Sequence, residues 1–322
     1  MLPVVAFVIV CLLNSVLALA LKKACQLLLP QKYYPFASEF CCTFIVVANV
    51  FENGNMIESY GMTSFALTLF LLIWIYMNLF DAFANPLSTF DQVWNKKKPF
   101  WEGVAIVVCQ VAGGCLGGRF IILLWGYMQL TNQHISRSEF LSQTCQSTNQ
   151  VLLWQGMAVE MLFTVILRVI ASFVTGKSWE RATNSFASVV AVVIGLEWTG
   201  SMINPALATA MTYNCENHPF YEHVLVYWVA PFTGSILSDF IEDFLHGPGW
   251  RDKDQTIPGG QQAVTKTTRK RKTKKSTKAK KNNNREPVGS SQGKNGTGVS
   301  PKRRKRKDAN NNNSKRKTNV GV

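Results

Sequence analysis

The chain has 322 residues, with 34 Lys and Arg against 19 Asp and Glu, and a mean hydropathy of +0.06. These averages suit a basic soluble protein, but they hide two different regions. Residues 1–250 hold 11 Lys and Arg against 15 Asp and Glu, whereas residues 251–322 hold 23 against 4. The first region contains seven apolar stretches with short polar links, which excludes a single soluble core and indicates a polytopic membrane protein.

The apolar stretches of the first region are, in chain order, 2–21, 36–51, 63–80, 101–129, 151–174, 185–200 and 224–245. Several approach the roughly 20 residues that a helix needs to cross a bilayer. We assign residues 1–30 to an N-terminal hydrophobic helix and residues 31–250 to a membrane domain. The first stretch precedes Lys22 and lacks a clear small-x-small cleavage site, so a retained helix is favoured over a removed signal peptide.

Basic residues concentrate in alternate links: before the second stretch, after the third, between the fifth and sixth, and after the last. The positive-inside rule places these links and the C-terminus in the cytosol. The intervening links, residues 52–62, 130–150 and 214–223, then face the opposite side. Arg137 is their only Lys or Arg.

Two short segments do not fit as full membrane crossings, and both begin with Asn-Pro. The first opens with Asn85-Pro86-Leu87 and the second with Asn204-Pro205-Ala206. Asn is a favoured helix cap and Pro suits the first helical turn, so each pair predicts a helix start. About ten residues give about 15 Å of helix, which is half of a membrane.

The order of elements occurs twice. Glu39 lies in an apolar stretch 46 residues before Asn85, and Glu160 lies in another 44 residues before Asn204. The stretch 101–129 separates the two units and gives them opposite orientations, so the chain is predicted to be an inverted repeat. A glutamate inside a membrane helix needs a partner. We expect both carboxylates to bind the backbone of the adjacent half-helix loops as structural struts.

Two half-helices that start at the midplane from opposite sides point their unpaired N–H groups and positive dipole ends at each other. The amide groups of Asn85 and Asn204 add donors at the same place. A neutral solute oxygen finds hydrogen bonds there, whereas a cation meets positive potential. This pathway needs no chemical step, so neither an enzyme activity nor a cofactor or metal is expected.

These residues resemble those of the aquaporin family, over about residues 36–245. The Asn-Pro pairs resemble its two Asn-Pro-Ala boxes, and the helices with Glu39 and Glu160 resemble the first helix of each half. The resemblance implies an all-α membrane protein with six transmembrane helices and two half-helices, to which this chain adds its N-terminal helix. It also implies a passive channel for water or small neutral solutes, assembled as a homotetramer with one pore per subunit.

Three features are similar to the unorthodox superaquaporin branch, the intracellular eleven-and-twelve type. The first box carries Leu87 in place of alanine, Cys215 stands nine residues after Ala206, and Tyr227–Pro231 resembles the last helix of that branch. The branch implies the endoplasmic reticulum or another intracellular membrane. Cys215 is therefore identified as a structural residue of the branch.

The narrow filter of the channel departs from orthodox family members, which carry Arg directly after the second box. Leu207 stands at that position here. Spacing from the boxes, counted without gaps, places the other filter residues at Phe65, Val192 and Ser201. Because this filter is apolar and lacks a cation, we expect a wider constriction that admits glycerol or hydrogen peroxide as well as water.

Several alternatives stay open at the level of sequence. A non-conducting membrane scaffold that acts through its basic tail is compatible with Leu87 and Leu207, and an ion-coupled secondary transporter also uses inverted repeats. The tail, residues 251–322, is expected to be disordered and either to contact anionic membrane lipids or to stay solvated without a partner. Cys145 and Cys215 are expected on one side of the membrane, either bridged by a disulfide or as free thiols.

Overall fold

A computed structural model of the chain describes residues 1–144, 146–216 and 219–247. The predicted tail lies outside these residues. Helices form almost all of the described chain, in the order α1 (Pro3–Leu28), α2 (Tyr34–Leu79), α3 (Pro86–Trp94), α4 (Phe100–Met128), α5 (Asn132–Gln143), α6 (Leu153–Val174), α7 (Glu180–Gly195), α8 (Pro205–Thr212), α9 (Phe220–Val224) and α10 (Ala230–His246). A π-helical turn, Leu225–Val229, joins α9 to α10.

Five helices of the described chain are long and apolar enough to cross a membrane: α1, α2, α4, α6 and the continuous run Phe220–His246. The 46 residues of α2 contain two crossings, because Gly61 breaks the run with φ 80° and ψ 179°. This left-handed region favours glycine, which has no Cβ to clash. The six predicted spans are therefore the two parts of α2, then α4, α6, α7 and the run Phe220–His246. The half-helices are α3 and α8, and α1 is the added helix.

The link 52–62 is helical for most of its length, since α2 continues up to Gly61. Two polar side chains there are buried and bonded inside the protein: Glu52 accepts a 2.6 Å bond from the indole N–H of Trp125, and Asn53 donates to the Phe65 carbonyl at 3.2 Å. Polarity in this segment therefore marks an internal hydrogen-bond network.

The N-terminal helix α1 packs along α2. Asn14 is fully buried in this contact and its side-chain amide donates to Asn49 Oδ1 at 2.6 Å, while Asn49 in turn donates to the Tyr76 hydroxyl. A chain of polar bonds inside an apolar contact fixes the position of one helix on another, because each unpaired polar group would be costly there.

Glycines bring the helices of each repeat into backbone contact. A Cβ at Gly113 or Gly117 of α4 would lie 2.4 Å or 2.3 Å from the carbonyl oxygens of Phe40 or Phe44 on α2. In the second repeat, Gly234 of α10 packs in the same way on the backbone of α6. Small residues permit this close approach between membrane helices. The tight packing sets the frame that holds the two half-helices.

Candidate solute pathway

The half-helices α3 and α8 begin at the two predicted asparagines. Asn85 Oδ1 accepts from the backbone N–H of Leu87 at 2.9 Å, and Asn204 Oδ1 accepts from that of Ala206 at 3.0 Å. A proline follows each asparagine at the first helical position, where its missing N–H costs nothing. The side-chain oxygens are thus used as helix caps, which leaves the amide N–H groups directed away from the helices.

The tips of the half-helices meet. Asn85 Nδ2 donates to the carbonyl of Ile203 at 3.0 Å, and Asn204 Nδ2 donates to the carbonyl of Ala84 at 2.9 Å. The two bonds are reciprocal, as expected for an inverted repeat whose halves contact each other at the midplane. Each side-chain amide has two N–H donors, and the second donor of each has no hydrogen-bond partner within the described residues.

Ala84 and Ile203, which precede the asparagines, both have a left-handed backbone, with φ of 52° and 47°. This conformation costs a non-glycine residue about 1–3 kcal/mol and persists only where surrounding contacts hold it. The strained turns aim the carbonyl of each residue at the asparagine of the other repeat. The same strained conformation thus occurs at equivalent positions of the two repeats. This indicates that the fold stabilises the contact between the tips of α3 and α8.

Glu39 holds the first of these turns. Its carboxylate accepts from the backbone N–H of Phe83 at 3.0 Å and of Ala84 at 2.9 Å, and from the side-chain amide of Gln110 at 2.8 Å. Gln110 was not singled out from the sequence. The signal is its position as a lone amide in the middle of an apolar stretch, where a polar group needs a buried partner.

Glu160 holds the second turn in the same way. Its carboxylate accepts from the Thr199 hydroxyl at 2.7 Å and from the backbone N–H groups of Met202 and Ile203 at 3.0 and 2.9 Å. The structure thus places both glutamates as the sequence predicts, bonded to the loops that lead into the half-helices. Neither carboxylate faces the pathway as a binding group.

A cavity of about 810 Å³ passes the meeting point. Asn85, Asn204 and Leu87 line it, together with all four residues that spacing assigned to the filter: Phe65, Val192, Ser201 and Leu207. The hydroxyl of Ser201 has no hydrogen-bond partner within the described chain. Pro86, Pro205 and Ala206 do not line the cavity and instead form the first turns of the half-helices.

Two arginines line the cavity, and no sequence pattern assigned a site role to either. Arg168 of α6 bonds to Asp91, to the Ser238 hydroxyl at 2.6 Å and to Asp239 at 3.2 Å, on the side where α10 ends. Arg137 lies on the opposite side, on α5. Both are far apart in sequence from the Asn-Pro motifs, so only the tertiary fold brings them to the cavity.

Cys215 follows α8, is buried, and is disulfide-bonded. Its predicted partner, Cys145, lies outside the described residues. The residues that follow the two cysteines, Gln146 and Glu216, pair in an isolated parallel bridge. Of the two alternatives for Cys215, the structure therefore has the bridged form and not the free thiol.

Comparison with known proteins identifies the family of the chain. The profile of the family described as Major intrinsic protein matches residues 40–242. Aquaporin-11 of Milnesium tardigradum is 25% identical over 202 residues, or 62% of this chain and 72% of that protein. Putative aquaporin-12A of Homo sapiens is 25% identical over 223 residues, or 68% of this chain and 73% of that protein.

The X-ray structure of the aquaglyceroporin from Plasmodium falciparum matches with a TM-score of 0.47 and 18% identity, over 66% of this chain and 96% of that one. The predicted resemblance to aquaporins, and to the eleven-and-twelve branch among them, is confirmed by the profile and the relatives. This chain belongs to the major intrinsic protein family, and it is a membrane-embedded channel protein for water or small solutes.

Proposed function

We propose that the chain is a passive channel for water and for small neutral solutes such as glycerol or hydrogen peroxide. One observation carries this proposal. The reciprocal bonds of Asn85 and Asn204 leave one N–H of each amide without an acceptor among the described residues, beside a cavity that both asparagines line. These donors replace the hydrogen bonds that a solute oxygen loses on leaving water.

The filter residues support passage of glycerol as well as water. Phe65, Val192 and Leu207 offer apolar surface to the carbon backbone of such a solute. The arginine that narrows orthodox filters is replaced by Leu207. An apolar wall of this kind suits an amphipathic polyol better than the wall of a water-selective filter does.

The two alternatives are less well supported. An ion-coupled transporter needs acidic groups free to bind its ion, but Glu39 and Glu160 are committed to backbone N–H groups and Asp91 is bonded to Arg168. A non-conducting scaffold needs a closed pathway. Leu87 and Leu207 both line the cavity without removing it.

Location and assembly belong to the proposal as well. We place the protein in the endoplasmic reticulum or another intracellular membrane, with the C-terminus in the cytosol. We further propose a homotetramer with one pore per subunit. The excess of basic residues after position 250 supports contact of the tail with anionic membrane lipids on the cytosolic side.

Solute entry into proteoliposomes tests the proposal. We expect purified full-length protein to accelerate both water and glycerol entry over empty vesicles in stopped-flow light scattering, with comparable gains for the two. Leu207→Arg should restore a cation to the filter and reduce glycerol entry more than water entry. Permeation of water alone would reject the wide filter, and rates equal to those of empty vesicles would favour the scaffold.

A further inference from the structure

The filter lacks its arginine, yet a different element brings a cation to the same cavity. Arg137 lies on α5, the helix of the link between α4 and α6, which the sequence treated as a plain connection. It lines the cavity together with Ser201 and Leu207. A positive charge is therefore present on the α5 side of the pathway, although Leu207 occupies the position where orthodox family members have one.

Contacts with three residues hold the guanidinium of Arg137 in a defined position. Nη1 donates to Asn55 Oδ1 at 3.0 Å, and the guanidinium carbon lies 5.3 Å from the centre of the Trp125 ring. Gly54 supplies the space, since a Cβ there would lie 2.8 Å from Nη1 and 3.0 Å from Nη2. A hydrogen bond, a cation–π contact and a missing side chain together fix the group.

The helix that carries Arg137 is itself anchored to the membrane domain. His134 is buried, its ring stacks on Trp125 with centroids 5.7 Å apart, and its Nε2 lies 3.2 Å from Glu52 Oε1. The Thr131 hydroxyl caps the first turn of α5 by accepting from the backbone N–H of His134 at 3.2 Å. The link is thus a fixed part of the cavity wall on this side.

Most of the donors of Arg137 have no acceptor in the part of the chain that the structure describes. A guanidinium has five N–H groups, and Asn55 accepts from one nitrogen; no carboxylate of the described residues lies within ion-pair distance. Burial lowers the pKa of this guanidinium, and the carboxylates of Glu58 and Glu52 act in the opposite direction. Arginine stays charged at neutral pH despite such a shift.

We propose that Arg137 is a specificity-determining residue, which supplies from α5 the cationic group that the Leu207 position lacks. Its charge opposes the entry of cations on the α5 side of the pathway. This inference rests on the proposed function, because it assigns the charge selectivity of that same pathway.

Urea and guanidinium test this role, because they are planar and similar in size but differ in charge. We expect proteoliposomes with the wild-type chain to take up labelled glycerol and urea faster than empty vesicles, and guanidinium at the rate of empty vesicles. In Arg137→Gln, guanidinium uptake should rise on the order of tenfold, with urea and glycerol uptake within about twofold of wild type. Arg137→Lys keeps the charge and should exclude guanidinium nearly as well.

Two further variants control for loss of charge and for misfolding. Arg119→Gln removes the same charge from an exposed position of α4 outside the cavity wall, and should exclude guanidinium as wild type does. Gly54→Ala displaces the guanidinium without removing it and should also admit guanidinium, which gives a reading if Arg137→Gln does not fold.

The outcomes separate this inference from the proposed function. Normal glycerol uptake with guanidinium still excluded, in Arg137→Gln or in Gly54→Ala, overturns the role of Arg137 and leaves the channel intact. Wild-type vesicles that take up glycerol no faster than empty ones overturn the proposed function and this inference together.

Discussion

Glu160→Gln is expected to abolish solute flux and to lower the unfolding temperature of the detergent-solubilised protein. The carboxylate accepts three hydrogen bonds, from Thr199, Met202 and Ile203. A glutamine side chain has only one acceptor oxygen. Its NH2 group would face donor groups that the second carboxylate oxygen of Glu160 now accepts from. Bonds to charged groups contribute about 1.5–3 kcal/mol each, so the loss of even one bond, with a new repulsion, costs at least about 2 kcal/mol.

The effect of Glu160→Gln reaches the pathway through Ile203. Its backbone N–H bonds to Glu160 and its carbonyl accepts from Asn85, so the strained turn and the meeting of the tips share one support. Glu39→Gln, the equivalent change in the first repeat, should also abolish flux and lower the unfolding temperature. Glu197→Gln, at an exposed position close by in the chain, is the matched control and should keep both flux and melting temperature.

Wild-type glycerol flux together with an unchanged melting temperature in Glu160→Gln would show that the glutamates are not struts. A lowered melting temperature with normal flux would assign them to stability alone. The measurement therefore pairs light-scattering flux with thermal unfolding on the same preparation.

The second large effect is expected for Asn204→Asp. The change replaces the N–H that bonds to the Ala84 carbonyl with a carboxylate oxygen, so two acceptors face each other at the tip. Leaving a buried acceptor without its donor costs about 1–3 kcal/mol. We expect glycerol and water flux to fall on the order of tenfold, since about 1.4 kcal/mol corresponds to a factor of ten in rate.

The new negative charge should also cancel part of the positive potential at the tips of α3 and α8, and thereby raise proton leak. Asn132→Asp adds the same charge at an exposed position at the start of α5 and serves as the control. If Asn204→Asp passes glycerol as wild type does and holds a proton gradient equally well, the amide donors have no part in permeation.

The parts of the site that the sequence predicts depend on local rules. An asparagine followed by proline specifies a capped helix start, and a glutamate in an apolar helix demands a nearby partner; both rules hold wherever the chain folds. The repeat then relates Asn85 to Asn204 and Glu39 to Glu160. Nothing in these patterns requires knowledge of which distant helices touch.

The parts that the sequence did not reveal depend on tertiary contacts. In the segment 52–62, Glu52 bonds to Trp125, 73 residues along the chain, and Asn53 bonds to Phe65 beyond the break at Gly61. A hydropathy pattern cannot separate such internal bonds from a solvated link. Arg137 is the only Lys or Arg of the links on its side, but its place on the cavity wall follows from the anchoring of α5 on Trp125.

One measurement addresses the whole account: glycerol entry and proton leak followed in the same proteoliposomes, which hold the full-length chain and a pH-sensitive dye. Glycerol should enter faster than it enters empty vesicles, while an imposed proton gradient decays no faster than in those vesicles. A gradient that collapses as glycerol enters, or glycerol entry at the empty-vesicle rate, would contradict a pathway in which Asn85 and Asn204 bind neutral oxygens and repel cations.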